Sequence, residues 1–178
     1  MFLSVYNNKK IAWTKERIME KRHRAKLIIY GALTLMCMAM IFYFSSQNGE
    51  RSQGVSDGLL ARIKAFILLL PSITGKGAEY DIRKYAHMFE YCMLGITSML
   101  FARELFSKHS GTPAAPLAAW GFSFLYACSD ELHQYFVPGR SAKFTDVLVD
   151  SVGFTLGVAA VYIICCIFAD KKRGKTHE

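Results

Sequence analysis

Asp130, Glu131, His133, Gln134 and Arg140 fall within eleven residues, in the segment SDELHQYFVPGR. Lys84, His87 and Glu90 stand in KYAHMFEY, and Asp146 and Asp150 in TDVLVD. These side-chain types support four kinds of chemistry. Arg140 can fork onto a phosphate or carboxylate with Lys84 adding a point charge, while the acids and histidines orient those donors or bind hydroxyls and amines. His133 or His87 can act as a general base oriented by Asp130 or Glu90, with Arg140 stabilising developing negative charge. His87, Glu90, Asp130 and His133 are plausible metal ligands by type, but two spacings alone are a weak signal, and no metal or cofactor is assigned. The bland alternative is an ion-pair network that locks helices together. No GxSxG or HExxH motif singles out the catalytic reading.

Spacing groups these residues by face. Lys84 and His87 are three apart, as are His87 and Glu90; Asp130, His133 and Gln134 share one helical face, and so do Asp146 and Asp150. The elements that carry them are apolar. The chain's 178 residues fit one domain, and 52% of them are hydrophobic, somewhat above the soluble average. Residues 27–44 form an uncharged run close to the ~20 residues that cross a hydrocarbon layer. Residues 147–169 form a second clear span. Residues 85–102 and 114–136 are long enough but carry the polar residues near one end. The expectation is an all-α bundle of about four transmembrane helices. The run at 27–44 is a span rather than a cleaved signal, since no A-x-A-like site follows it.

Charge bias orients the bundle. Eight Lys/Arg lie in residues 1–26 and four in the last ten. With both termini cytoplasmic, thirteen Lys/Arg face inward against seven in the outer loops. In that topology every Asp, Glu, His, Lys and Arg inside the last three spans falls at the outer face. A charge near hydrocarbon costs roughly 2.5–3.5 kcal/mol, so such groups face the bundle interior and pair there. One polar cluster open to the outside is the simplest arrangement. In the long outer loop, VSDGLLARIKAFILLLP (residues 55–71) spaces its apolar residues as an amphipathic helix lying on the interface. Gly153 and Gly157 form a GxxxG close-packing face. The five cysteines sit in apolar runs without CxxC or CxxH spacing and read as buried hydrophobes. The basic N-terminal segment reads as an anchor on anionic lipid, and no nucleic-acid-binding motif accompanies it.

FSSQ after the first span, KYAHMFEYCMLG at the second, and DELHQYFVPGRSAKFTDVLVDSVGFTLG joining the third to the fourth occur in this order. Over residues 44–157 the chain resembles the VanZ-like family of bacterial membrane proteins. The family's serine-rich loop stands here as SAKFTD, and its Asn four residues after Asp146 is Asp150. The resemblance implies a multi-pass protein of the bacterial plasma membrane, associated with teicoplanin susceptibility, without defining a reaction. The chain then divides into a basic cytoplasmic segment (1–26), a VanZ-like four-helix transmembrane domain (27–169, with the outer loop and amphipathic helix in 45–83) and a basic cytoplasmic tail (170–178). Its expected function is recognition of an anionic envelope or lipid-linked group; the alternative is a membrane-embedded His/carboxylate hydrolase or transferase. Its expected partners are membrane lipid and a lipid-linked wall precursor or glycopeptide, with no nucleic acid.

Overall fold

The structure, a computed structural model, describes residues 2–47, 78–107, 113–140 and 143–174. Four helices account for nearly all of them, and the described residues contain no strand: α1 (Phe2–Ser45), α2 (Ala78–Leu105), α3 (Ala114–Tyr135) and α4 (Phe144–Gly174). The helix expected over residues 55–71 lies outside the described residues.

Helix α1 is longer than the apolar run that marks it. Between Phe2 and Ser45 there is one glycine, no proline and a run of Lys, Arg, Glu and Met, all strong helix formers. The basic segment and the apolar span therefore form one rod of 44 residues, about 66 Å at 1.5 Å per residue. Helix α2 likewise begins at Ala78, inside the region expected to be loop. Helix α3 starts after Pro113, with Pro116 in its first turn, where a missing N–H costs nothing. It closes with Phe136 and Val137 N–H groups donating three residues back, to His133 and Gln134.

The helices alternate in direction. Tyr126 of α3 donates to the Met38 carbonyl of α1, and both helices end at the same side. Met88 and Cys92 of α2 lie against Gly153 and Gly157 of α4, so those two run parallel and begin at that side. A Cβ on either glycine would collide with the Met88 or Cys92 carbonyl, and one on Gly95 would collide with the Phe154 backbone. Backbones at this separation require hydrogen in place of a side chain, which bears out the close-packing face expected of GxxxG.

Two core layers fill the interior. One, beneath the polar end, holds Cys37, Ile41, Tyr91, Leu94, Ala127, Val147 and Phe154. The other holds Met99, Ala102, Ala119, Val158 and Val161. The outside is apolar as well: Ile28, Leu35, Leu117, Leu125, Leu156 and Ile167 are exposed. Within α1, Trp13–Ser45, and within α4, Phe144–Phe168, are long and apolar enough to cross a membrane. These contain the two uninterrupted spans of the sequence. At the end remote from the polar cluster, Glu104 of α2 meets His23 (3.2 Å) and Lys26 (3.7 Å) of α1. Of the cysteines, Cys37 is buried, Cys92, Cys128 and Cys165 are half-buried and Cys166 is exposed; none is disulfide-bonded.

Candidate functional site

Helices α1 and α3 end where α2 and α4 begin, so residues far apart in sequence meet at one end of the bundle. Asp130 lies at the centre, 3% exposed. Its Oδ2 accepts hydrogen bonds from Ser45 Oγ of α1 (2.9 Å) and from Gln134 Nε2 one turn on (3.0 Å); Gln134 Nε2 also reaches Ser45 Oγ (3.3 Å). Ser45 is fully buried. The second carboxylate oxygen, Oδ1, has no hydrogen-bond partner among the described residues. Tyr91 of α2 faces Asp130, and its buried hydroxyl stops short of a well-formed bond.

The other acids surround this centre. Asp150 of α4 is 4% exposed and lies within electrostatic reach of Asp130, Glu131, Asp146 and Glu90. Glu90 lies within reach of both Asp130 and Arg140, and pairs with His87 on its own helix at 3.7 Å. Glu131 accepts from the Lys143 N–H, one residue before α4. A carboxylate placed there meets the positive end of the α4 dipole and ties α3 to the start of α4. Glu131 thus has a fastening role independent of any ligand.

Arg140 has an occupation that its sequence position did not disclose. Arg140 N–H donates to the Val137 carbonyl, closing a turn with Pro138 and Gly139 at its centre. Gly139 has φ 77°, the left-handed value that glycine adopts without strain in this position. The turn aims the guanidinium at the end of α1. Nη2 donates to the Phe44 carbonyl (2.9 Å), Nε to the Gln47 carbonyl (3.1 Å) and Nη1 to Gln134 Oε1 (3.1 Å). An isolated helix leaves its last carbonyls without partners, and a cation suits them. Arg140 is therefore a clamp between the α3–α4 turn and α1, and its fork is shared among three protein acceptors.

The structure gathers Glu90, Asp130, Glu131, Gln134, Arg140, Asp146 and Asp150 as expected. His87 joins through Glu90. Lys84 stands on α2 at the same end, with its side chain outside the described residues. His133 does not pair with Asp130. Its ring stacks on Phe42 of α1 (centroids 4.6 Å apart), and Nε2 lies 3.1 Å from Ser46 Oγ. Asp130 and His133 differ by three positions, and that rotation turns the imidazole toward the α1 rim while the carboxylate points inward. Among the described residues no three His, Cys, Asp or Glu side chains converge to hold a metal ion. Reading the sequence left out Ser45, Ser46 and Tyr91. The signal for the serines was FSSQ, a polar pair at the end of a wholly apolar span.

Fold and site together define a class: an all-α helical bundle with membrane-length helices and a buried polar network at one end. The VanZ/LLP1 family model matches residues 30–167, which include every site residue named above, and the chain belongs to that family. No curated protein and no solved structure matches it.

Proposed function

We propose that this VanZ/LLP1 protein crosses the bacterial plasma membrane four times, with both termini cytoplasmic. It holds the polar head of a lipid-linked envelope molecule in the Asp130 cluster at the outer face, and through that molecule it affects glycopeptide susceptibility. Two spans pass on length and composition, and α2 lies in backbone contact with one of them, α4. Helix α3 shares both core layers with them, through Ala127 and Ala119. The middle helices therefore share the depth of the outer two. The Lys/Arg bias supports the orientation. Cysteines introduced at Ser107 and Ser141 test it in intact cells with an impermeant thiol reagent: labelling at 141 and not at 107 is expected, and the reverse overturns the topology.

The observation that carries the recognition reading is Asp130, buried with one oxygen bonded and the other without a hydrogen-bond partner among the described residues. An ionisable group held at that depth is expensive, and such groups usually serve a function. The cluster offers acceptors in Asp130, Glu90 and Asp150, beside the cationic types His87 and Arg140, with Lys84 carried on α2 and His133 on α3 at the same end of the bundle. A group that suits both combines hydroxyl or amine donors with an anion, as a lipid-linked sugar phosphate does. Arg140 enters this reading as the residue that shapes the site more than as the sole grip on the anion.

Asp130→Asn tests it. The amide oxygen still accepts from Ser45 and Gln134, so the detergent melting temperature should stay close to wild type. Binding of a lipid-linked wall precursor to the purified protein should weaken at least tenfold, about 1.4 kcal/mol, and teicoplanin susceptibility of cells should shift. Unchanged binding and unchanged susceptibility would sink the reading.

A further inference from the structure

We propose that Ser46 and His133 form a nucleophile–base pair at the rim of the cluster, acting on carboxylic esters of membrane amphiphiles. The pair is separate from the Asp130 network, although it adjoins it. Ser45 points inward to Asp130; Ser46, one residue on, is exposed and lies 3.1 Å from His133 Nε2. A serine hydroxyl within hydrogen-bond reach of an imidazole is the minimal arrangement for activating that hydroxyl.

Both partners are held in place. The Phe42 ring lies against the imidazole at an interplanar angle of 27°. Arg140 donates to the carbonyls of Phe44 and Gln47, so it pins the backbone on both sides of Ser46. Ser46 Oγ lies 2.6 Å from the Phe42 carbonyl as well. The hydroxyl proton thus has two acceptors, and reaction requires it on the imidazole side.

Position indicates the substrate. Phe42, Tyr43, Tyr85, Phe89, Tyr135 and Phe136 are exposed around this end of the bundle. Aromatic residues of this kind mark the depth of the lipid headgroups, where the ester carbonyls of amphiphiles lie. The chemical step is acyl transfer. Ser46 Oγ bonds to the ester carbonyl carbon as its proton passes to His133 Nε2. The tetrahedral centre collapses, the C–O bond to the alcohol breaks, and the alcohol leaves with that proton. Water, activated by the same imidazole, then attacks the acyl-serine, releasing the carboxylic acid and restoring Ser46.

The full chain in detergent, treated with a fluorophosphonate and mapped by mass spectrometry, tests the pair. Wild type should carry the adduct on Ser46, and Ser46→Ala should carry none. His133→Gln should slow labelling at least about 100-fold, the low end for general-base assistance. Ser129→Ala, whose hydroxyl bonds back to its own helix at the Tyr126 carbonyl, should label like wild type. Detergent melting of each variant separates loss of reactivity from loss of fold. An unlabelled Ser46 in folded wild type, or labelling that ignores His133→Gln, overturns the proposal. Either failure leaves the recognition reading intact, because that reading is judged on Asp130 and binding alone.

Discussion

Alanine at Gly157 will splay or unfold the bundle, whereas alanine at Gly121 will leave it intact and slightly more stable. Both glycines sit inside helices, where alanine is intrinsically better by about 1 kcal/mol. Around Gly121 no described residue beyond its own helical turn comes within 4 Å of where a Cβ would stand, so only the helix preference acts. Around Gly157 the new methyl would fall inside the contact distance of the Cys92 carbonyl and crowd the Ile96 N–H. Neither is the flexible tip of a side chain; both belong to the α2 backbone, so the helices must part. Parting them loosens Phe154 and Val158, which lie in the two core layers. The cost should reach at least the ~3 kcal/mol upper end of ordinary overpacking. Gly153→Ala should behave in the same way, through Met88. Thermal unfolding in detergent reads the difference. A Gly157→Ala protein that melts with wild type would show that the α2–α4 backbones are not in direct contact at Cys92.

The second large effect is at Arg140. Replacement by lysine keeps the charge but not the planar fork. One ammonium on a flexible stem cannot serve the Phe44 carbonyl, the Gln47 carbonyl and Gln134 Oε1 together. Hydrogen bonds to charged groups contribute ~1.5–3 kcal/mol each, and partly buried carbonyls left alone lose their solvation as well. Arg140→Lys should therefore cost on the order of 2 kcal/mol of stability, and Arg140→Ala more, since it also removes the cation within reach of Glu90 and Glu131. Function should fall in both, because the end of α1 that carries Ser45 and Ser46 is released. If Arg140 served only to grip an anion, lysine would leave the protein folded and inserted and cost function alone. The clamp geometry adds a stability loss, and melting curves beside a binding assay distinguish the two. Wild-type melting and wild-type binding in Arg140→Lys would refute the clamp.

The helical class, the two uninterrupted spans, the GxxxG contact face and the gathering of ionisable residues at one end were all legible in the sequence. Each rests on local information: the length of an apolar run, the charges that interrupt it, or a spacing within one helix. What escaped depended on how far each helix extends and how it is rotated about its axis. The basic segment before residue 27 had no apolar signature, yet its composition continues α1 without a break. Ser45 reaches Asp130 across 85 positions and Arg140 reaches Phe44 across 96. No spacing within a segment encodes such a pair. The same rotation separates His133 from Asp130, although both lie on what reads as one helical face. Three residues turn a helix by about 300°, leaving the two side chains roughly 60° apart. With α1 packed against that edge, 60° suffices to send the carboxylate to Ser45 and the imidazole to Ser46. The sequence determined which residues the end of the bundle contains; the packing of α1 against α3 decided which of them touch.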